Sequence, residues 1–531
     1  MPYRLLVIAS ILVLVPASQA QDAVSLLSPT PRAPGHFGGA VAGIPDVDGD
    51  SRGDLLIGAD WEGGLAGRVH IFSGSSGSLI QTLESPTPGG NGGFGSAVSD
   101  VPDLDGDGVF DIVVGTFSEG SSATGWGRAH VFSGASGTLI YTLMSPNPEG
   151  AGQSTPFFGG SVAGISDIDG DSRGDLLVGA ASEADGNTGR AYVFSGSSGD
   201  TLRTLTSPNP ESNGLFGFRV AGVPDTDGDG TTDILVAAHT EDAIATNAGR
   251  AYLFSGATGA LLHTFQSPNP SSGGLFGREI EGVSDTDGDG RGDVLIGASG
   301  DVGSGRAYLF SGATGSLIYE LESPNPPGAG GLFGQAVGVT PDLDGDGVAD
   351  LIVGATGEFE ASILTGRAYV FSGATGTLLN SLVSTNPKSS GSFGYSVAGV
   401  PDANGDGQGD ILVGAVQEDG PSASTGRAYL FSGGMPVANE SSPTLPVNSL
   451  DVYPNPVREE ATIRLTLSLP ETVTIKLHDV LGRQVTGLHS GPLTSGANAF
   501  QIDASELASG VYFLVASTST EVITQRLIRV D

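Results

Sequence analysis

The sequence predicts an all-β protein: a seven-bladed β-propeller followed by a small immunoglobulin-like β-sandwich. Three observations predict it. The pair Phe-Gly recurs at Phe37, Phe94, Phe158, Phe216, Phe276, Phe333 and Phe393, at spacings of 57, 64, 58, 60, 57 and 60 residues. Each recurrence opens a unit with four short runs rich in Val, Ile, Leu, Phe and Tyr, bounded by Gly, Asp, Ser and Pro, which is strand punctuation. The repeats stop near residue 434, and from 449 onward apolar and polar residues alternate, as in half-buried strands.

Each unit reads in the same order. "VAGxxD" leads into an Asp-rich loop, then "DLLVGA", a variable loop, "GRAYVFSG", a Gly-rich turn and "LIYTLxSPNP". The second run, as in Asp54 to Ala59, is apolar almost throughout, which fits a strand covered on both faces by stacked sheets. Four strands in about 60 residues, repeated radially, make a propeller blade. A solenoid is the alternative, with shorter repeats as a rule. The last unit lacks its fourth strand, and residues 23–31, "AVSLLSPTP", resemble the fourth strand of the first unit. The N-terminal strand is therefore expected to complete the seventh blade, which leaves no open edge.

With 22 basic against 59 acidic residues, the formal net charge is −37. A phosphate backbone needs a basic partner, so nucleic acid is excluded as a ligand. There is no cysteine, hence no disulfide, thiolate nucleophile or Cys-ligated zinc. Residues 1–20 read as a secretory signal, with Arg4, an apolar run from Leu5 to Val15 and Ser18-Gln19-Ala20 as the cleavage signature. That run is too short to span a membrane, and no transmembrane anchor is expected. The domains predicted are the signal at 1–20, the propeller at 21–434, a linker at 435–448 and the C-terminal domain at 449–531.

Every unit carries the spacing D-x-D-G-D-x-x-x-D between its first two strands, and only the last departs, with Asn404 at the second ligand position. The predicted metal ligands are Asp46, Asp48, Asp50 and Asp54; Asp103, Asp105, Asp107 and Asp111; Asp167, Asp169, Asp171 and Asp175; and Asp225, Asp227, Asp229 and Asp233. The remaining loops supply Asp285, Asp287, Asp289 and Asp293; Asp342, Asp344, Asp346 and Asp350; and Asp402, Asn404, Asp406 and Asp410. Calcium takes 6–8 oxygen ligands, and carboxylates at positions 1, 3, 5 and 9 with a carbonyl at 7 can wrap one ion. Up to seven Ca2+ are expected. The loops hold 27 of the 59 acidic residues, so the acidity is mostly ligand rather than surface. Three loops spell Arg-Gly-Asp, at Arg52, Arg173 and Arg291, but each of these Asp residues falls on loop position 9.

These repeats, from Phe37 to Gly434, resemble FG-GAP repeats, the calcium-binding propeller repeats of integrin α chains. The resemblance implies seven blades, metal in the hairpins between the first two strands, and a role in adhesion or ligand binding.

No catalytic cluster emerges. His70 and His130 stand where other units carry Tyr192, Tyr252, Tyr308, Tyr369 and Tyr429, and the remaining histidines share no spacing. Glu62, Glu119, Glu183, Glu241, Asp301, Glu358 and Glu418 follow the second strands, and Arg68, Arg128, Arg190, Arg250, Arg306, Arg367 and Arg427 open the third strands. These are expected to form seven ion pairs across the hairpin mouths. Trp61 and Trp126 are the only tryptophans, both in loops between second and third strands, and are the candidate ligand-binding residues.

The segments "LDVYPNP", "ATIRLTL", "VTIKLHDVLGRQV", "GVYFLVA" and "QRLIRV" follow the linker. Tyr453-Pro454-Asn455-Pro456, Gly482-Arg483, Gly510-Val511-Tyr512 and the basic apolar last strand resemble the type A C-terminal sorting domain of the type IX secretion system. The resemblance implies export through the periplasm to the surface of a Gram-negative bacterium, with that machinery as a partner. The expected function is a non-catalytic, calcium-binding adhesion protein with an extracellular protein or glycan as ligand. A lectin or accessory module is the alternative, and a polysaccharide hydrolase or lyase the third.

Overall fold

A computed structural model describes residues 23–87, 92–119, 126–147, 157–325, 330–360, 363–420 and 422–433, and, with short gaps, 449–530. The predicted signal at 1–20 and linker at 435–448 lie outside the described residues. Two units are compact in themselves, Met1–Met435 and Pro436–Asp531. Among the described residues no helix is long and apolar enough to cross a membrane.

The first unit repeats one four-stranded antiparallel sheet in the manner of a β-propeller. In the first sheet Phe37–Ile44, Asp54–Ala59, Arg68–Phe72 and Leu79–Leu83 pair in chain order. Five further sheets keep that order. One more is assembled from both ends of the unit: Phe393–Val400, Asp410–Ala415 and Arg427–Phe431 are joined by Ala23–Leu26, with Ser25 opposite Tyr429. This sheet then meets the first, where the Phe37 N–H donates to the Thr425 carbonyl at 3.0 Å and the Ser396 hydroxyl to the Gly38 carbonyl at 2.8 Å.

The apolar second strands are buried along all six residues, because sheets cover both faces. Each opening Phe is fully buried and meets a Phe of its own third strand edge to face, as Phe37 does Phe72 at 6.0 Å and 84°. The glycine after it is required. Gly38 has φ +85°, and a Cβ there would strike the Arg427 carbonyl of the neighbouring sheet.

The second unit has two antiparallel sheets over one core. Ser449–Tyr453, Glu460–Leu467 and Gly496–Asp503 form a three-stranded sheet. Gln484–Leu493, Glu471–Asp479, Gly510–Ser517 and Val522–Arg529 form a four-stranded one. Leu450, Ile463 and Leu465 from the first pack with Ile475, Leu477 and Leu514 from the second. Residues 454–456 and Gly482, which carry part of the sorting resemblance, lie outside the described residues.

Deletion of residues 23–31 strips one strand from the sheet that joins the two ends and exposes the edge of Arg427–Phe431. Calorimetry of the truncated chain is expected to show a broadened, lower transition or aggregation. A melting curve like the intact chain's contradicts this closure.

Candidate metal centres

The seven Asp loops share one backbone design. In the first loop, Asp46 accepts N–H bonds from Gly49 at 2.6 Å, Asp50 at 3.1 Å and Ser51 at 2.6 Å. The Asp50 N–H also lies 3.1 Å from Asp48, and Asp50 accepts from the Arg52 N–H at 2.9 Å. Carboxylate oxygens of Asp46, Asp48 and Asp50 lie within 4.8 Å of one another, and so do those of Asp103, Asp105 and Asp107; of Asp225, Asp227 and Asp229; and of Asp285, Asp287 and Asp289. In the third loop the set that converges is Asp167, Asp169 and Asp175.

Position 9 has a second task. Asp54 is fully buried, and its two oxygens accept from Val47 N–H in its own loop at 2.8 Å and Gly74 N–H in the turn after the third strand at 3.1 Å. Asp111, Asp175, Asp233, Asp293, Asp350 and Asp410 repeat that pair of bonds. Burial pushes Asp54, Asp111, Asp175 and Asp350 up to about 6, against these N–H bonds, with neighbouring loop carboxylates adding to the rise.

The last loop solves the crowding differently. The Asn404 amide donates to Asp406 at 3.0 Å, to Asp410 at 3.0 Å and to the Ser432 hydroxyl at 2.8 Å. It supplies hydrogens where the other loops have only acceptors. The Arg-Gly-Asp arginines also turn inward. Arg52 pairs with Asp402 at 2.9 Å, Arg173 with Asp103 at 3.3 Å and Arg291 with Asp225 at 2.9 Å, each reaching the first carboxylate of the loop on the neighbouring sheet. With their Asp residues buried, these tripeptides offer no free recognition motif.

The acids after the second strands correct the expected ion pairs. Two are made, Arg190 to Glu183 at 3.5 Å and Arg250 to Glu241 at 3.4 Å. Arg68 instead meets Glu84, Arg306 meets Glu320 and Glu322, and Arg367 meets Glu360. Arg427 donates to the Asp419 carbonyl and Ser25. The acids are buried and take their hydrogens from the third strand. Tyr192 donates to Glu183, Tyr252 to Glu241, Tyr308 to Asp301, Tyr369 to Glu358 and Tyr429 to Glu418. His70 and His130 fill the same role toward Glu62 at 3.1 Å and Glu119 at 2.6 Å.

Each acid–Tyr or acid–His pair is also gripped from the preceding sheet. Thr30 bonds Glu62 at 3.0 Å, Ser207 bonds Glu241 at 2.5 Å, Ser267 bonds Asp301 at 2.5 Å, Asn325 bonds Glu358 at 2.7 Å and Ser384 bonds Tyr429 at 3.1 Å. Ser85 and Ser145 do the same for Glu119 and Glu183. Seven latches thus cross seven sheet junctions. The recurring Ser and Asn of "SPNP" and the recurring Tyr carry the signal for them, which reading the acids against arginines alone misses.

The two tryptophans differ. Trp61 is 37% exposed and stacks on His36 of its own sheet, with ring centroids 3.6 Å apart and 18° between planes. Trp126 is half-buried just before Arg128–Phe132.

This geometry defines a protein of repeated propeller sheets with an acidic loop on each. The profile of the FG-GAP repeat matches residues 37–72, 158–194, 216–254, 333–371 and 393–431, and that of the secretion system C-terminal sorting domain matches residues 451–530. The chain carries FG-GAP repeats followed by a type IX sorting domain. It is similar to integrin alpha-PS5 of Drosophila melanogaster, 34% identical over 182 residues, 32% of this chain and 18% of that one. It is also similar to integrin alpha-IIb of Mus musculus, 39% identical over 162 residues, 27% of this chain and 15% of that one. The match thus spans less than a fifth of the length of either relative. A spatial match to PorZ, a type IX secretion surface component of Porphyromonas gingivalis, covers 90% of this chain and 58% of that one, at 17% identity and a TM-score of 0.43, too loose to carry an argument.

Replacing Glu241 with Ala removes the acceptor of Ser207, Tyr252 and Arg250 together. Chemical denaturation is expected to show a loss of about 3 kcal/mol, against about 1 kcal/mol for Tyr252→Phe, because the larger change strands several buried donors.

Proposed function

We propose that the seven sheets are the blades of one closed propeller, that its loops bind calcium, and that the protein is a non-catalytic ligand-binding protein exported to the cell surface. The observation that supports this best is the convergence of three carboxylates in loop after loop without enough basic side chains to neutralise them. Asp at positions 1, 3 and 5 would hold the ion, with position 9 bracing the loop and, in the third loop, Asp175 also converging on the site. The Asn404 loop argues the same way, since the one loop short of a carboxylate is the one cross-linked by its own amide. Calcium supplies charge neutralisation and rigidity here.

The sorting domain, with strands that suit an immunoglobulin-like sandwich, supports a working site on the surface or outside the cell. The face away from the Asp loops is where the loops vary in length, and Trp61 offers an exposed ring there beside His36. A protein or glycan ligand on that face, with Trp61 and Trp126 among its contacts, is the reading preferred over an enzyme. The buried acids that follow the second strands are committed to the junction latches rather than presented to a substrate.

At about 1 mM free calcium and a dissociation constant of about 0.1 mM, each filled site adds about 1.4 kcal/mol. Metal-depleted protein is therefore expected to melt far below calcium-loaded protein, with magnesium a weak substitute. Identical melting curves contradict calcium binding. On a glycan and protein array, the Trp61→Ala, Trp126→Ala double variant is expected to lose capture while its calcium-loaded melting stays within a few degrees. Undiminished capture removes both residues from the site.

A further inference from the structure

The inner strands of the seven sheets line a cavity of about 380 Å³. Repetition provides an internal control on what the fold requires there. At the place of Arg278 other sheets carry Gly39, Ser96, Gly160 and Gln335, and at the place of Glu281 they carry Ala42, Ala163 and Ala398. The remaining two sheets carry Phe218 and Tyr395 at the Arg278 place, so uncharged residues suffice to build the wall. Large charged side chains in one sector are not needed for folding, and burying them there costs stability.

Their arrangement is polarised along the strands. Toward the end where each inner strand begins, the Arg219 and Arg278 guanidiniums lie 4.5 Å and 5.3 Å from the Phe218 ring centre. Arg219 is committed, donating to Glu279 at 2.7 Å and to the Phe218 carbonyl at 3.0 Å. Arg278 has no carboxylate within ion-pair distance among the described residues. Toward the Asp-loop end, Glu281 and Asp100 feel one another's charge and neither has a cationic partner among the described residues. Burial, then Glu279 and Asp100, pushes the Glu281 carboxyl up to about 8, the condition of an acid with no cation against it. Arg278 and Glu281 stand three residues apart on one strand, about 10 Å.

We propose that this cavity binds a small elongated zwitterion, its anionic end on Arg278 beside the Phe218 ring and its ammonium end on Glu281 and Asp100. A guanidinium without a carboxylate at one end and carboxyls without a cation at the other, held apart in one cavity of small-ligand size, select for that charge separation, the arriving ammonium favouring the ionised form of Glu281. A simple anion satisfies only the arginine, and a simple amine only the acids. The site uses no Asp-loop residue and stands apart from the calcium reading.

Calorimetric titration of the full chain with 6-aminohexanoate, hexanoate and hexylamine tests this, because the three share one length and differ only in their charged ends. The expected result is one 6-aminohexanoate per chain, bound at least tenfold tighter than either of the others. Arg278→Gln and Glu281→Ala, which install residues already present in sister sheets, are each expected to lower that affinity tenfold or more with unchanged melting. If Glu281→Ala melts early, Glu281→Gln replaces it and must show the same loss. If Arg278→Gln melts early, Arg278→Ser replaces it on the same terms. No binding of 6-aminohexanoate, equal binding of hexanoate or hexylamine, or unaltered affinity in the variants overturns the proposal.

Discussion

Like charges crowded into a short loop are the constraint on which the rest of the propeller unit depends. Carboxylate oxygens at positions 1, 3 and 5, or 1, 3 and 9 in the third loop, stand within 4.8 Å of one another. Each such pair repels by between about 1 and 4 kcal/mol, according to how far water screens it. The backbone N–H bonds to Asp46 and its counterparts offset part of that, and fix the loop in the shape that creates the crowding. The buried position 9 carboxylate then ties the loop to the turn after the third strand, so a change in the loop reaches both ends of its sheet. A divalent cation, as proposed above, would relieve the repulsion. Where a carboxylate is missing, the Asn404 amide resolves it locally instead.

The opposite end of each sheet uses buried acids in another way. Glu241 and its counterparts sit where two sheets meet, and take hydrogens from a Tyr or His of their own sheet and a Ser, Thr or Asn of the sheet before. A buried acid with several donors is stable where an unpaired one is not. The unit is thus tied at one end by junction latches and at the other by the buried position 9 carboxylate of each Asp loop. Arg52, Arg173 and Arg291 couple those loops in pairs, which makes neighbouring sites sense one another's charge.

Much of this is legible in the chain itself, because repetition fixes strand order, loop spacing and the position of the closing strand at 23–31. The Asp residues are legible by their spacing, and the structure brings three carboxylates together in several of these loops, most often those of positions 1, 3 and 5. Partners that lie across a sheet junction are harder to read. Ser207 and Glu241 are 34 residues apart, and Arg52 and Asp402 are 350 apart. No periodicity within one unit reports such contacts. Among the described residues, five of the seven expected acid–arginine pairs are not made for this reason: proximity within a hairpin suggested the partner, whereas burial selected Tyr and His, which satisfy the acid without a second charge. The polarised cavity is visible only as a departure from the repeat, at Phe218, Arg219, Arg278 and Glu281, and gains meaning when the inner strands are brought around one space.

The central claim, that the loops hold calcium and that carboxylate number sets their strength, is tested most directly by counting bound calcium. Equilibrium dialysis with elemental analysis across a range of free calcium gives the number per chain for the intact protein and for Asn404→Asp. The account predicts a calcium concentration at which the intact chain holds close to six ions and the variant close to seven. A chain that holds no calcium at about 1 mM, or a variant whose count matches the intact chain at every concentration, contradicts it.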